Sequence, residues 1–360
     1  MQAFDYTARA NERDELRGRG RYRGIGVAAY THMCGMAPSR RLGPIGFDRG
    51  GWESSRVSVD SSGRATIYSG SMSQGHGHVT SLAQIAADVM QMPIENIDVV
   101  QGDTRQVQAG HGTFNSRSMA VGGSSVHVCA KRVIAKAKRI AAGLLEVDEK
   151  DVSYEAGGFS VPGTDIAPVT FAKVARMAHL GHKLPQGTAP GLDETVFYDP
   201  AGMSSPSGVH MAYVEVDPET GIVDILDYVA VDDAGTLINP LLAAGQIHGG
   251  VVQGIGQAIW EEVTYDQDNG QLISSSLLDY AVPRAECVPN IRSSFQMTPS
   301  PTNPIGVKGI GENGAIAAPP TIVHAVLDAL SPFGITHLDM PMTPPRIWSA
   351  IQSARVGAGQ

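Results

Sequence analysis

Apolar and polar positions follow two different periods along the chain, and the switches between them mark the elements. Arg56-Val57-Ser58-Val59-Asp60 and Arg64-Ala65-Thr66-Ile67-Tyr68 alternate with period two around Ser61-Ser62-Gly63, which predicts a short hairpin. Over residues 79–90 the period changes: Leu82, Ile85, Ala86 and Val89 share one helical face. Residues 97–100 read as a strand. A long amphipathic helix follows, with Val126, Cys129, Val133, Ala137, Ile140 and Leu144 at steps of three and four. Residues 151–154 and 158–161 predict a small hairpin, and residues 170–180 a short helix with Thr170 as its N-cap. Two strands, 210–216 and 222–231, are joined by the turn Asp217-Pro218-Glu219-Thr220-Gly221. Asn239-Pro240 opens a long helix to Trp260. It carries five glycines, Gly245, Gly249, Gly250, Gly254 and Gly256. Each costs roughly 1 kcal/mol relative to alanine, so the spacing predicts a close approach of another backbone or a ligand. The stretch to about residue 298 reads as mixed strand and turn. A last long helix runs to Leu330, interrupted by Pro319-Pro320, and a short helix follows Pro344-Pro345.

Strands and helices mix without a regular βαβ alternation, so the fold class is α+β. Residues 1–24 are polar and rich in arginine (Arg9, Arg13, Arg17, Arg19, Arg21, Arg23). They read as the tail of a helix plus a linker, solvated or facing a partner, and such an opening implies a portion of the fold upstream. Residues 25–350 form the main domain, with any division into two subdomains falling near 150–200, and 351–360 are a tail.

The net charge of −9 leaves no basic stripe for phosphate backbones and excludes nucleic acid as the main partner. Three cysteines, Cys34, Cys129 and Cys287, lie far apart with no CxxC among them. They read as buried, reduced thiols, and an iron–sulfur or zinc site on this chain has no sequence support. There is no secretory leader pattern and no run of 18 apolar residues, so the expected setting is cytoplasmic with no membrane partner.

Glycine changes the picture: 42 of 360 residues, against roughly 7% in ordinary chains. The glycines gather in polar loops that feed helices, at 69–78, 110–118 and 306–314. The third holds a single carboxylate, Glu312, among four glycines just before a helix. A carboxylate there is placed for proton transfer rather than packing, and Glu312 is the candidate general base. Gly309-x-Gly311-x-x-Gly314 matches the dinucleotide fingerprint only formally. No buried strand precedes it, and no acidic residue follows at the required distance. His76-x-His78 with His111 lacks an acidic third ligand for zinc, and no metal ligand is assigned to the protein. No Gly-x-Ser-x-Gly occurs. Backbone N–H groups and neutral side chains at helix N-termini suit a phosphate-bearing cofactor, but tight turns would use the same residues. The residues alone leave both readings open.

Five segments, taken together and in order, resemble the C-terminal half of the molybdopterin-binding subunit of the molybdenum hydroxylases, the xanthine dehydrogenase, aldehyde oxidase and carbon monoxide dehydrogenase family. They are Gly70-Ser71 with Gly75-His76-Gly77-His78-Val79-Thr80; Gly112-Thr113-Phe114-Asn115-Ser116-Arg117-Ser118; Asp232-Asp233-Ala234-Gly235 with Ile238-Asn239-Pro240; Gly245-Gln246-Ile247-His248-Gly249-Gly250 with Gln253-Gly254-Ile255-Gly256; and Lys308-Gly309-Ile310-Gly311-Glu312 with Ala318-Pro319-Pro320.

The resemblance spans roughly residues 15–350 and implies that family's cofactor-binding fold. It implies a molybdopterin cytosine dinucleotide cofactor whose pterin, not protein ligands, holds the molybdenum. It places Gly75, His76, Gly77, His78, Thr113, Phe114, Asn115, Ser116, Ser118, Gln246, Lys308, Gly309, Ile310 and Gly311 around that cofactor and Glu312 beside the metal as base. The implied reaction is oxidative hydroxylation of an aldehyde or N-heterocycle with oxygen from water. The alternative is a non-catalytic cofactor-holding or assembly subunit. His76 stands where the family has glutamine, and Asn115 where it has glycine or alanine. The family's earlier half is not among these residues, an arrangement similar to the split molybdenum subunit of nicotinate dehydrogenase. The resemblance therefore implies a second molybdopterin-binding subunit carrying that half, with [2Fe-2S] and FAD on further subunits.

Overall fold

Two four-stranded sheets, each covered by a pair of helices, build the molecule. The computed structural model describes residues 4–358. In chain order the elements are α1 (Tyr6–Arg17), β1 (Tyr22–Thr31), the single turn α2 (Ser39–Leu42), β2 (Glu53–Val59), β3 (Ala65–Ser69), α3 (His78–Met90), β4 (Ile97–Gln101), α4 (Ser124–Leu145), β5 (Ser153–Glu155), β6 (Gly158–Ser160), β7 (Val169–Thr170), α5 (Phe171–Leu180), β8 (Leu192–Tyr198), β9 (Ser207–Val216), β10 (Val223–Asp233), α6 (Pro240–Ile259), β11 (Ile291–Gln296), α7 (Asn313–Leu330) and α8 (Pro344–Ala358). One sheet has the order β4-β3-β2-β8 and the other β1-β9-β10-β11; β5, β6 and β7 form a small third sheet.

The predicted hairpin is β2–β3, antiparallel with Val57 opposite Ile67. β4 joins it in parallel after the α3 crossover. Val57, Val59 and Ile67 face α3 and α4, whose Leu82, Ile85, Val126, Cys129 and Val133 complete one core. Thr170 caps α5 through its side chain, accepting from the Lys173 N–H, and Asn239 caps α6 in the same way at Leu242.

The second sheet is buried on one face and partly covered on the other, where Val27 and Val209 stay exposed. Tyr228 and Ala230 face α6 and α7, while Val229, Met211 and Tyr213 face Phe4 and α1. Gly24 and Gly26 of β1 lie against α7. A Cβ on Gly26 would fall on the carbonyl oxygen of Thr321, and one on Gly24 on that of Ala325. Helix and strand backbones touch there because neither glycine has a side chain. α6 crosses α7 in the same fashion at Gly250 and Gly254, where added Cβ atoms would meet Gly314, Ala315, Ala318 and Pro319. Gly245 and Gly249 have open space instead.

Three sequence-based expectations need correcting. α7 is continuous through Pro319-Pro320. Two backbone donors are lost, but the helix is wedged between β1 and α6 with Ala317, Ala318, Pro319 and Ile322 buried, and packing overrides the local penalty. The same burial explains why residues 313–333 have the length and apolarity of a membrane span: over half of that helix is core. The arginine-rich opening is a docked helix and the start of β1, and its charges are paired within the chain. Arg13 and Arg17 reach Asp328 at 2.8 and 3.0 Å, Arg23 reaches Glu215 and Glu12, and Arg9 pairs with Asp227. Finally, Cys34 and Cys129 are buried thiols, but Cys287 is exposed.

Candidate functional site

The two lobes meet at a cavity of about 460 Å³. The loop before α3 and the loop before α4 supply one side; residues 234–246 and the 307–312 stretch supply the other. Of the residues nominated from the sequence, all but Gly75 and Gly77 line it. Those two shape the backbone instead. Gly77 is the N-cap of α3 at φ 71°, and a side chain there would strike Leu242.

The loop 110–118 is held from behind. Arg117 and Glu53 form a fully buried ion pair at 2.7 Å, each with no side-chain exposure. The guanidinium also donates to the carbonyls of Gly112, Gly51 and Trp52 at 2.9, 3.1 and 2.6 Å. This fixes a tight bend in which Asn115 and Ser116 take φ of 47° and 48°, a strained region for side-chain-bearing residues. A π-helical turn, Ser118–Gly123, then leads into α4. The bend presents Ser116 to Glu312. Ser116 Oγ donates to Glu312 Oε2 at 2.6 Å and accepts from the Glu312 N–H at 3.2 Å. Glu312 is the N-cap residue of α7. One carboxylate oxygen is thus committed to Ser116, and among the described residues no cation pairs with the group.

Lys308, nominated as a cofactor contact, has its ammonium 2.8 Å from Asp233. Burial acts to raise the Asp233 carboxyl, but hydrogen bonds from Lys308, Gly235 and Thr298 outweigh it and hold it below the ordinary range. The pair ties residues 233–235 to 306–308, where the Lys308 N–H also bonds the Ala234 carbonyl.

His76 and His78 stack with ring centroids 3.9 Å apart and planes at 15°. Burial lowers the proton affinity of both. For His78 burial, with the neighbouring His76, brings it down to about 4, against a hydrogen bond to Met72 that works the other way. Both rings are neutral near pH 7. His111, the third member of the conceivable zinc set, is elsewhere, against Trp52 with ring centroids 4.4 Å apart.

Beneath Glu312 lies a group the sequence did not single out. His32 Nε2 is 3.0 Å from Asn313 Oδ1, and Cys34 Sγ sits 3.4 Å from both nitrogens of the His32 ring. With Glu312 these make the one set of three potential metal ligands among the described residues. Their geometry does not suit an ion. A sulfur equidistant from both nitrogens lies over the ring face, whereas imidazole lone pairs point in the ring plane. Burial, followed by the nearby Glu312 charge, pushes the Cys34 thiol up to about 12, and it stays protonated. The three residues come from positions 32, 34 and 312, so no local motif could have revealed them. The same holds for Glu53 behind Arg117.

The site suits a large polar ligand. Asn115 Oδ1 and His78 Nδ1 are buried and belong to side chains lining the cavity, and neither has a hydrogen-bond partner among the described residues. A Cβ added to Gly311 would come within 3.4 Å of Ser116 Oγ and 4.0 Å of Gln246 Oε1, so the glycine leaves room on the cavity side between those two groups.

Comparison with known proteins follows the same line. Residues 1–289 match the sequence family described as the molybdopterin cofactor-binding domain. The carbon monoxide dehydrogenase large chain of Hydrogenophaga pseudoflava is 38% identical over 329 residues, covering 91% of this chain and 40% of that one. The nicotine 6-hydroxylase large subunit of Paenarthrobacter nicotinovorans is 38% identical over 347 residues, covering 96% and 42%. Among solved structures, a Cu,Mo-CO dehydrogenase superposes with a TM-score of 0.92 at 31% identity, over 99% of this chain and 45% of that one. Quinoline 2-oxidoreductase from Pseudomonas putida 86 gives 0.90 at 37% identity, over 98% and 44%. The chain spans about two fifths of the length of the curated relatives it matches.

Proposed function

This chain belongs to the molybdopterin cofactor-binding domain family of the molybdenum hydroxylases, and from that premise we propose that it forms one wall of a hydroxylase active site, with Glu312 as general base. The reaction is oxidative hydroxylation of an aldehyde or an N-heterocycle with oxygen from water. The observation that carries the reading is the Glu312 carboxylate, held by Ser116 at 2.6 Å on the wall of a cavity that also carries the neutral polar side chains of Thr113, Asn115, Ser118 and Gln246.

Asn115, Gln246, His76, His78 and the 308–311 backbone would hold the cofactor, whose cytosine dinucleotide form belongs to the same proposal. Bound there, it would supply the two-electron redox chemistry. The protein's part is positioning and proton transfer. Because Ser116 occupies Oε2, Oε1 is the atom free to take a proton from the attacking water-derived oxygen. Because Ser116 also accepts from the Glu312 backbone N–H, its hydroxyl is fixed in place and holds the carboxylate through the Oε2 hydrogen bond. The rest of the assembly lies outside this chain: a companion portion of the molybdopterin-binding subunit, an iron–sulfur subunit and an FAD subunit.

The test is co-purification with native partners and measurement of molybdenum, iron and flavin together, followed by Glu312→Gln in the same complex. Molybdenum content is expected to persist while turnover falls about 10²–10⁴-fold, the usual effect of losing a general base. Near-normal turnover in that variant would leave the chain as a cofactor-holding wall and remove Glu312 from the mechanism.

A further inference from the structure

We propose that His32 is a positioning residue for Glu312: its imidazole fixes Asn313, the first residue of α7, and so keeps the Glu312 carboxylate in register with Ser116. The inference rests on the reading of Glu312 as general base and deepens it.

Ser116 and Glu312 come from different lobes, so their 2.6 Å hydrogen bond is only as good as the alignment of the two. Residues 32–35, just past the end of β1, are tied to both partners. The Gly35 N–H donates to the Asn115 carbonyl at 3.0 Å, on the bend that carries Ser116. On the other side His32 Nε2–H donates to Asn313 Oδ1 at 3.0 Å. The stretch is itself anchored on residues 204–206. The His32 N–H donates to the Pro206 carbonyl at 3.2 Å, and Cys34 and Ser204 exchange two backbone hydrogen bonds at 2.8 and 3.0 Å. A fixed segment of backbone therefore joins the bend to the start of the helix.

The His32 ring is held on two sides. The Tyr30 ring lies 6.1 Å away between centroids, and the Tyr30 hydroxyl donates to the buried Asp232 carboxylate. Cys34, fully buried, sets its sulfur 3.4 Å from both ring nitrogens. The same sulfur closes the space under Ser116: a Cβ on Gly309 would come within 2.6 Å of Cys34 Sγ and 2.5 Å of Ser116 Cβ. Asn313 is fully buried, and its Nδ2 has no partner among the described residues. Its side chain is thus fixed by His32 alone. Glu312 and Asn313 share one rigid peptide plane, and Glu312 has no side-chain cap bond to the helix it precedes. Orienting Asn313 orients the Glu312 backbone, and the Glu312 side chain follows. Without His32 the base stays present but loses its alignment, and a 1 Å misplacement can cost about 10²-fold in rate.

The test uses the native complex carrying His32→Leu, which keeps bulk but loses the donor, and His32→Gln, whose amide can donate from a similar position. In His32→Leu kcat should fall about 10²-fold with KM and molybdenum content unchanged, and His32→Gln should recover most of that loss. Asn313→Leu removes the acceptor from the other side and should add nothing further to His32→Leu, because both delete one hydrogen bond. On the purified 360-residue chain, the Glu312 and Asn313 amides should exchange about five- to tenfold faster in His32→Leu, while the amides of β9 and β10 keep their protection. Molybdenum content, urea stability and turnover falling in step in both His32 variants would make His32 a structural residue and overturn the inference. Turnover in His32→Leu within about threefold of wild type, beside an inactive Glu312→Gln, overturns the alignment and leaves the base reading standing. Turnover retained in Glu312→Gln overturns the base reading and the inference with it.

Discussion

Glu53 and Arg117 are 64 residues apart, have no exposed side-chain surface, and hold the bend that carries Asn115 and Ser116. Replacing Glu53 with alanine would leave the guanidinium buried without a counter-charge. Breaking a buried pair from one side typically costs about 3–5 kcal/mol. Replacing both members, Glu53→Leu with Arg117→Met, removes the unpaired charge. The three carbonyls that Arg117 now serves, of Gly51, Trp52 and Gly112, would each lose a donor, at roughly 1 kcal/mol apiece. Apolar replacement of a buried pair returns about 1–4 kcal/mol. The double variant should therefore be no less stable than Glu53→Ala, and the two single effects should fail to add by several kcal/mol. Urea unfolding of the wild type, Glu53→Leu, Arg117→Met and the double variant closes the cycle, with Glu53→Ala measured beside them. Amide hydrogen exchange over residues 112–118 should rise in Glu53→Ala before global unfolding, because the bend loses its clamp. A loss below about 1 kcal/mol in Glu53→Ala, or simple additivity in the cycle, would refute the argument that this pair fixes the loop.

Other consequences are as direct. Gly26→Ala should destabilise by at least about 1–3 kcal/mol, since its Cβ falls on the Thr321 carbonyl and strand and helix must separate; urea midpoints check it. His78 binds its proton more weakly in the folded chain, at about 4 against 6.5 ordinarily. Between those values the unfolded chain holds more protons, so stability should rise with pH across that window, with a shallower slope in His78→Gln. Native protein should react with a thiol reagent at Cys287 alone, because Cys34 and Cys129 are buried and both pushed up to about 12 by that burial; all three should react in denaturant.

Much of the fold was legible because it rests on local periodicity. The β2–β3 hairpin, the apolar stripe of α4, and the caps Thr170 and Asn239 each depend on residues a few positions apart. The continuity of α7 was not legible. Proline propensity is a local quantity, and the compensating contacts with β1 and α6 come from far along the chain. The pairing of the first arginines failed for the same reason: composition shows charge but not the location of Asp328 or Glu215.

Read alone, the amino-acid order determined which loops are rich in glycine, which carboxylate stands among them, and which helices those loops feed. Those are properties of neighbours in the chain, where backbone freedom and side-chain period act directly. Folding decided what faces what: that Ser116 clasps Glu312, that His32 and Cys34 lie beneath it, and that Glu53 and Arg117 brace the bend. Such contacts join residues 64 to 281 positions apart. Their energies depend on burial and distance in space, which no stretch of sequence contains by itself.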